Sequence, residues 1–144
     1  MKISTKGRYA LRMLLDMAQH QQEGYVTLKD IAQRQGISKK YLEQIALILG
    51  QAGILHGVRG HQGGYRLVGK PAEYTVLEIL QAMEGSLAPV ACLDQGNNLC
   101  SRRHECPTLP LWEGLDAVIT NYLRGITLQD VMDGKVQPSQ ADQA

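Results

Sequence analysis

Apolar residues recur every three or four positions through most of this chain, a rhythm that predicts helices. Ala10, Met13, Leu14, Met17 and Ala18 share one stripe of a first helix, opened by Ser4 or Thr5 and running to about His20. A loop over residues 21–24 follows. Leu28, Ile31 and Ala32 then mark one face of a short helix over residues 27–35. Leu42, Ile45 and Leu49 form a core stripe on another helix, over residues 38–49. Gly36 and Ile37 lie between the two as a turn, where glycine accepts a left-handed backbone at little cost. Thr27 and Ser38 stand where a hydroxyl accepts an orphan helical N–H, and Asp30 resembles the acidic half of a capping box.

The rhythm then changes. Residues 54–59 and 64–68 are strand-like and flank a tip in which Gly60, Gly63 and Gly64 crowd together. Two short helices, a glycine turn and a glycine-tipped hairpin predict a winged helix-turn-helix, which sets one helix in a DNA major groove. Helical spacing resumes with Val76, Leu77, Ile79, Leu80 and Met83, opened by Tyr74 and Thr75 and ended over residues 84–86. Residues 86–107 have no clear period. From Thr108 or Pro110 a long helix carries Leu111, Leu115, Val118, Ile119, Tyr122 and Leu123 on its apolar face, with Trp112 beside it and Gly125 as its stop. Little core is left for that face to join within one chain, so it predicts contact between two copies. A short helix over residues 126–132, capped by Thr127, closes the fold, and the polar run from Gly134 is expected to be disordered.

The expected fold is mainly α: a winged helix-turn-helix with a two-stranded wing and a long C-terminal dimerisation helix. Its divisions are a DNA-binding domain at 1–85, a cysteine-containing loop at 86–107, dimerisation and closing helices at 108–133, and a tail at 134–144.

Charge sharpens this picture. The net charge of +1 hides an asymmetry: residues 1–70 hold 11 Lys and Arg against 4 Asp and Glu, residues 71–144 hold 4 against 10. A basic first half and an acidic second half fit a nucleic-acid-binding part joined to a non-binding one. No run of 18 apolar residues spans a membrane, and the N-terminus lacks an apolar signal region, so a cytoplasmic protein is expected.

The helix-turn-helix offers its polar side for base reading. Ser38, Lys39, Lys40 and Tyr41 begin the second helix, where base contacts concentrate. Lys39 and Lys40 suit phosphate or guanine acceptors, Gln44 suits adenine, and Glu43 can accept from cytosine N4. Glu43 then acts as a selector, costing affinity and adding discrimination. The competing role for Glu43 is an i, i+4 partner for Lys39. In the wing, Arg59, Gly60, His61, Gln62, Gly63, Gly64 and Tyr65 form the tip, where an arginine can enter a narrow minor groove. Lys2, Lys6, Arg8 and Arg12 cluster at the start of the first helix and either touch phosphates or form a solvated face.

Cys92, Cys100 and Cys106, every cysteine of the protein, fall within 15 residues. Three thiols so close in one loop have metal-ligand character, and soft sulfur favours iron–sulfur clusters or zinc. Gly96, Asn97 and Asn98 leave the loop free to wrap a ligand. Arg102 and Arg103 can lower thiol pKa values or offset cluster charge. His104, Glu105, Asp94, a partner subunit or an external ligand could complete the set. Inert buried cysteines and a redox thiol switch are the alternatives. No Ser/His/Asp or paired-carboxylate arrangement and no phosphate-binding glycine loop supports catalysis, so no enzyme is expected.

Taken together, residues 1–9 (MKISTKGRY), 37–44 (ISKKYLEQ) and 58–65 (VRGHQGGY), the cysteine trio, Leu111-Trp112 and Ile126-Thr127-Leu128 resemble the IscR/NsrR family of bacterial iron–sulfur winged-helix regulators, over about residues 1–133. The resemblance implies a homodimer on a palindromic operator, with a [2Fe–2S] or [4Fe–4S] cluster on Cys92, Cys100 and Cys106 that sets affinity or site choice; a repressor is the expected form of regulator. The resemblance also implies that Tyr41, Glu43, Gln44 and Arg59 approach DNA, and on the same footing Thr5, Lys6 and Thr27 are candidate DNA contacts. The gap from Cys92 to Cys100 is longer than is usual in the family. The position three after the last cysteine, a histidine in the assembly regulator, is Leu109. Where nitric-oxide-sensing members borrow a partner's acidic residue, this chain has Arg8. The fourth ligand, the cluster type and the signal therefore stay open, and a cluster-free thiol-redox or zinc-dependent regulator is the alternative.

Overall fold

The computed structural model describes residues 2–96 and 100–138. The expectations for Asn97, Asn98 and residues 139–144 lie outside the described residues. Six α-helices and one hairpin follow in order: α1 (Thr5–His20), α2 (Leu28–Gln35), α3 (Lys39–Gln51), β1 (Leu55–Val58), β2 (Gly64–Leu67), α4 (Val76–Glu84), α5 (Leu109–Arg124) and α6 (Leu128–Met132).

Each helix of the DNA-binding half starts at a hydroxyl cap. Ser4 accepts from the Gly7 amide, Thr27 from Asp30 and Ser38 from Tyr41. At Thr27 only that half of a capping box forms; the reciprocal contact expected of the Asp30 carboxylate is made instead by Glu78 for Thr75 and by Asp130 for Thr127. Gly36 ends α2 in the left-handed conformation at φ 65°, returning its N–H to the Ala32 carbonyl.

The α1 stripe Ala10, Met13, Leu14, Met17 and Ala18 is buried, and it meets Leu28, Ile31, Leu42, Ile45, Leu49, Leu55 and Leu67 in one core. The hairpin is antiparallel, with Leu55 opposite Leu67 on the inner face and His56 opposite Arg66 on the outer one. Val26 adds a bridge to Tyr65 through bonds of 2.9 and 2.8 Å, tying the wing to the start of α2. A side chain at Gly64 would strike the Val26 backbone, so this seam requires glycine.

A second, smaller core joins Val76, Leu77, Leu80 and Leu87, with Leu123 and Ile126 packed on it. Here the structure refines the expectation for α5. Its apolar residues divide into two stripes. Leu123 turns to α4, while Leu111, Leu115, Val118 and Tyr122 remain 61%, 41%, 66% and 58% exposed. Within the loop at 86–107, expected to lack regular structure, residues Ala91–Gly96 form a 3-10 helix. No helix among the described residues is long and apolar enough to cross a membrane.

Candidate nucleic-acid interface and cysteine loop

The N-terminal ends of α2 and α3 and the tip of the wing enclose one shallow concavity. Thr27, Lys39, Glu43, Arg59, Gly60, Gly63, Gly64 and Tyr65 all line it, which unites half of the expected DNA contacts in one surface. Lys29 and Val58 line it as well and were not anticipated from sequence. Lys29 had a readable signal: it is the second residue after the Thr27 cap, on the same exposed turn. Ser38, Lys40 and Gln44 are exposed on α3 beside the concavity, and His61 and Gln62 are exposed at the tip.

Charge in this surface is available rather than spent. Among the described residues Glu43 makes no ion pair, so the competing role, an intrahelical pair with Lys39, is not formed. Ser38 and Thr27 accept from backbone amides at 3.1 Å, so their hydroxyl oxygens serve first as caps. Tyr41 is half-buried, its ring meeting Tyr9 of α1 edge-on at 5.6 Å and 83°.

The basic start of α1 divides. Thr5 is exposed and its hydroxyl accepts from Arg8 at 3.1 Å; Lys6 is half-buried. Neither lines the concavity. Arg12 is committed inside the chain: its Nε donates to Gln35 Oε1 at 3.2 Å, its Nη2 donates to the Gln35 carbonyl, and its guanidinium lies 5.3 Å from the Tyr9 ring centre. Periodicity places Arg12 on a polar face but cannot show that a neighbouring helix end claims it.

The cysteine loop leaves α4 through Ser86, whose hydroxyl donates to Asp94 at 2.6 Å. Cys92 and Cys106 are half-buried free thiols, and Cys100 is exposed. None is sealed into apolar interior. Cys106 lies 3.4 Å from the Thr108 hydroxyl, just before α5. That hydroxyl, the backbone amides of Thr108 and Leu109, and the charge of Arg102 hold its thiol below the ordinary range. As donors the three cysteines suit a soft metal centre. They are not yet gathered: among the described residues no three His, Cys, Asp or Glu side chains are placed to hold a metal ion.

The whole-chain comparison decides the family. Residues 3–134 match the profile of the Rrf2 family, described as an iron-dependent transcriptional regulator. The chain belongs to the Rrf2 family. It is 44% identical to the transcriptional regulator IscR of Aliivibrio salmonicida (strain LFI1238) over 138 residues, covering 95% of this chain and 81% of that protein. Its fold is similar to IscR of T. potens, with a TM-score of 0.71, 37% identity, and 99% and 96% of the two chains covered. It is also similar to CymR, the global cysteine regulator of B. subtilis, with a TM-score of 0.74, 34% identity, and 92% and 97% covered. These relatives are regulators of transcription, not enzymes, and this Rrf2 chain is accordingly a DNA-binding transcriptional regulator with a winged helix-turn-helix.

Proposed function

We propose that this Rrf2 chain is a cytoplasmic homodimeric repressor whose hold on a palindromic operator is modulated by an iron–sulfur cluster on Cys92, Cys100 and Cys106. The single observation that carries the DNA half is the concavity that brings Lys39 and Glu43 of α3 against Arg59 of the wing. In this reading α3 enters the major groove, Arg59 enters the neighbouring minor groove, and Glu43 selects among bases by accepting from cytosine. Thr5, Lys6, Thr27, Lys40, Tyr41, Gln44 and the tip residues 60–65 complete the contact set.

The exposed stripe Leu111, Leu115, Val118 and Tyr122 on α5 supports pairing of two copies. Two reading heads so joined meet half-sites roughly 34 Å apart, one duplex turn, or a multiple of it. The three thiols, none sealed into the interior, the lowered pKa of Cys106 and the iron-dependent character of the family support the cluster. When bound, a cluster supplies a redox-active, ligand-reactive centre. The chain's part is to present the three thiolates from the segment between α4 and α5.

Anaerobic purification followed by absorption and EPR spectroscopy tests this. A brown protein whose visible bands disappear in the triple cysteine-to-serine variant is the expected result. A colourless sample that takes up no iron on reconstitution rejects the cluster. The second reading, a cluster-free thiol switch or zinc site, draws on thiols not gathered into a metal-binding group among the described residues and on the lowering of the Cys106 pKa below the ordinary thiol range. Reversible disulfides without metal, or stoichiometric zinc, would be its signature.

A further inference from the structure

Asp16 is the only buried charged side chain among the described residues, 2% exposed on α1. The last turn of α2 supplies most of its partners. Arg34 Nη2 donates to Oδ1 at 2.6 Å, Arg34 Nε approaches both oxygens at 3.2 and 3.0 Å, and Gln35 Nε2 donates to Oδ2 at 3.0 Å. Gln35 also faces the other way. Its side-chain and backbone oxygens both accept from Arg12, four residues before Asp16 on the same face of α1. α1 therefore grips the end of α2 at two points one turn apart, and Gln35 is common to both.

Apolar packing holds this end of α2 only lightly: Ala32 is partly buried, and the chain rejoins the core at Ile37, beyond Gly36. The helix buries only Leu28 and Ile31, both in its first half. The gripped end leads through the left-handed Gly36 into the Ser38 cap and the first turn of α3. The buried anchors of α3, Leu42, Ile45, Ala46 and Leu49, begin only at its fourth residue. Before them only Ile37 in the turn and the half-buried Tyr41, against Tyr9, are packed, so where α2 ends also sets the direction of the first turn of α3. Buried ion pairs contribute little net stability and are best attested as devices that fix register.

We infer that Gln35, held between Arg12 and Asp16, is a positioning residue that sets the angle at which the first turn of α3 meets DNA. It touches no DNA itself. This rests on the reading that α3 is the base-reading helix.

The test compares two 30-base-pair duplexes at fixed salt: one recovered from a random-sequence pool by the wild-type chain, and a scrambled one. Gln35→Ala severs both contacts of the glutamine side chain and leaves the Arg34–Asp16 pair and the Arg12 bond to the residue-35 carbonyl in place, so the fold is retained, as circular dichroism and thermal melting will show. The inference predicts about a tenfold loss on the recovered duplex, comparable to a mismatched base pair, and a change of less than about twofold on the scrambled one. The salt slope stays unchanged, because no phosphate contact is lost. Arg12→Ala should give the same split, and the two changes together should cost less than the sum of their separate losses, because they share the Arg12–Gln35 contact. A folded Gln35→Ala protein that keeps its full discrimination overturns the inference, as does equal weakening on both duplexes. If Arg12→Ala lowers the salt slope, Arg12 is a phosphate contact and the grip assigned to it is wrong. A wild-type chain that recovers no duplex from the pool defeats the base-reading role of α3, and the inference with it.

Discussion

One oxygen of the Glu84 carboxylate receives both donors of Ser4, the backbone amide at 3.0 Å and the hydroxyl at 2.6 Å. The residues are 80 positions apart, and the bond joins the start of α1 to the end of α4. Ser4 Oγ still accepts from the Gly7 amide at 3.1 Å, so the carboxylate extends the cap of α1 and brings negative charge to its N-terminus. Gly7 is buried beneath it, and a Cβ at that position would collide with the same carboxylate oxygen.

Gly7→Ala is therefore expected to expel Glu84 and lower stability by about 1–3 kcal/mol, despite alanine's better helix propensity. Urea unfolding of a double-mutant cycle checks this. With Glu84→Ala already present, Gly7→Ala should become neutral or stabilising. Equal losses in both backgrounds would contradict the collision.

Asp16 should govern the acid limb of stability. Burial raises its pKa, but hydrogen bonds from Arg34 and Gln35 and the charges of Arg34 and His20 outweigh burial and hold it below the ordinary aspartate range. A folded pKa below the unfolded one contributes stability above the unfolded value and loses it as pH falls through the folded value. Asp16→Asn should cost about 2 kcal/mol at neutral pH, less than a fully buried pair, because Arg34 remains 35% exposed. The gap to wild type should close as pH drops below about 4. Denaturant midpoints across that range read it out, and a gap independent of pH would contradict the assignment.

Arg59→Ala is expected to weaken operator binding about tenfold or more, the scale of a lost base or groove contact. Glu43→Ala should instead leave affinity for the best duplex nearly intact and flatten the ranking of its variants. Competition binding against a panel of single-base variants separates the two effects. An unchanged ranking in Glu43→Ala would remove its selector role.

Val118→Glu puts a charge in the middle of the exposed α5 stripe. Because the native side chain is 66% exposed in the single chain, the fold should survive. Sedimentation equilibrium should show the variant as a monomer at concentrations where wild type is a dimer, with unchanged helical content. A dimer of undiminished stability would place the contact elsewhere.

Much of this architecture was legible because caps and periods are local. Thr27, Ser38, Thr75 and Thr127 announce helices through the orphan amides they satisfy, and the α1 and α3 stripes follow from a 3.6-residue turn. Glycine at 36 and at 60, 63 and 64 marks the turn and the wing for the same reason. What escaped depends on tertiary angle. The consumption of Arg12 by Gln35, the Ser4–Glu84 bond and the division of α5 into two stripes each require knowing which helices cross and where. Lys39 and Glu43 were equally ambiguous: i, i+4 spacing permits a pair, and only the geometry of the wing-side concavity leaves both open. The cysteine loop resisted for another reason, since its thiols take their arrangement from a ligand as much as from the chain.

A cluster that gates DNA binding must couple the sulfur loop to the reading heads. The anaerobic binding isotherm for the duplex recovered by the wild-type chain should be recorded with iron and sulfide reconstituted, and again after their removal. A shift of about tenfold or more in affinity, or a reordering of preferred sites, is predicted, and both should vanish in the Cys92→Ser variant. Superimposable isotherms for protein with and without a spectroscopically confirmed cluster would contradict the central claim.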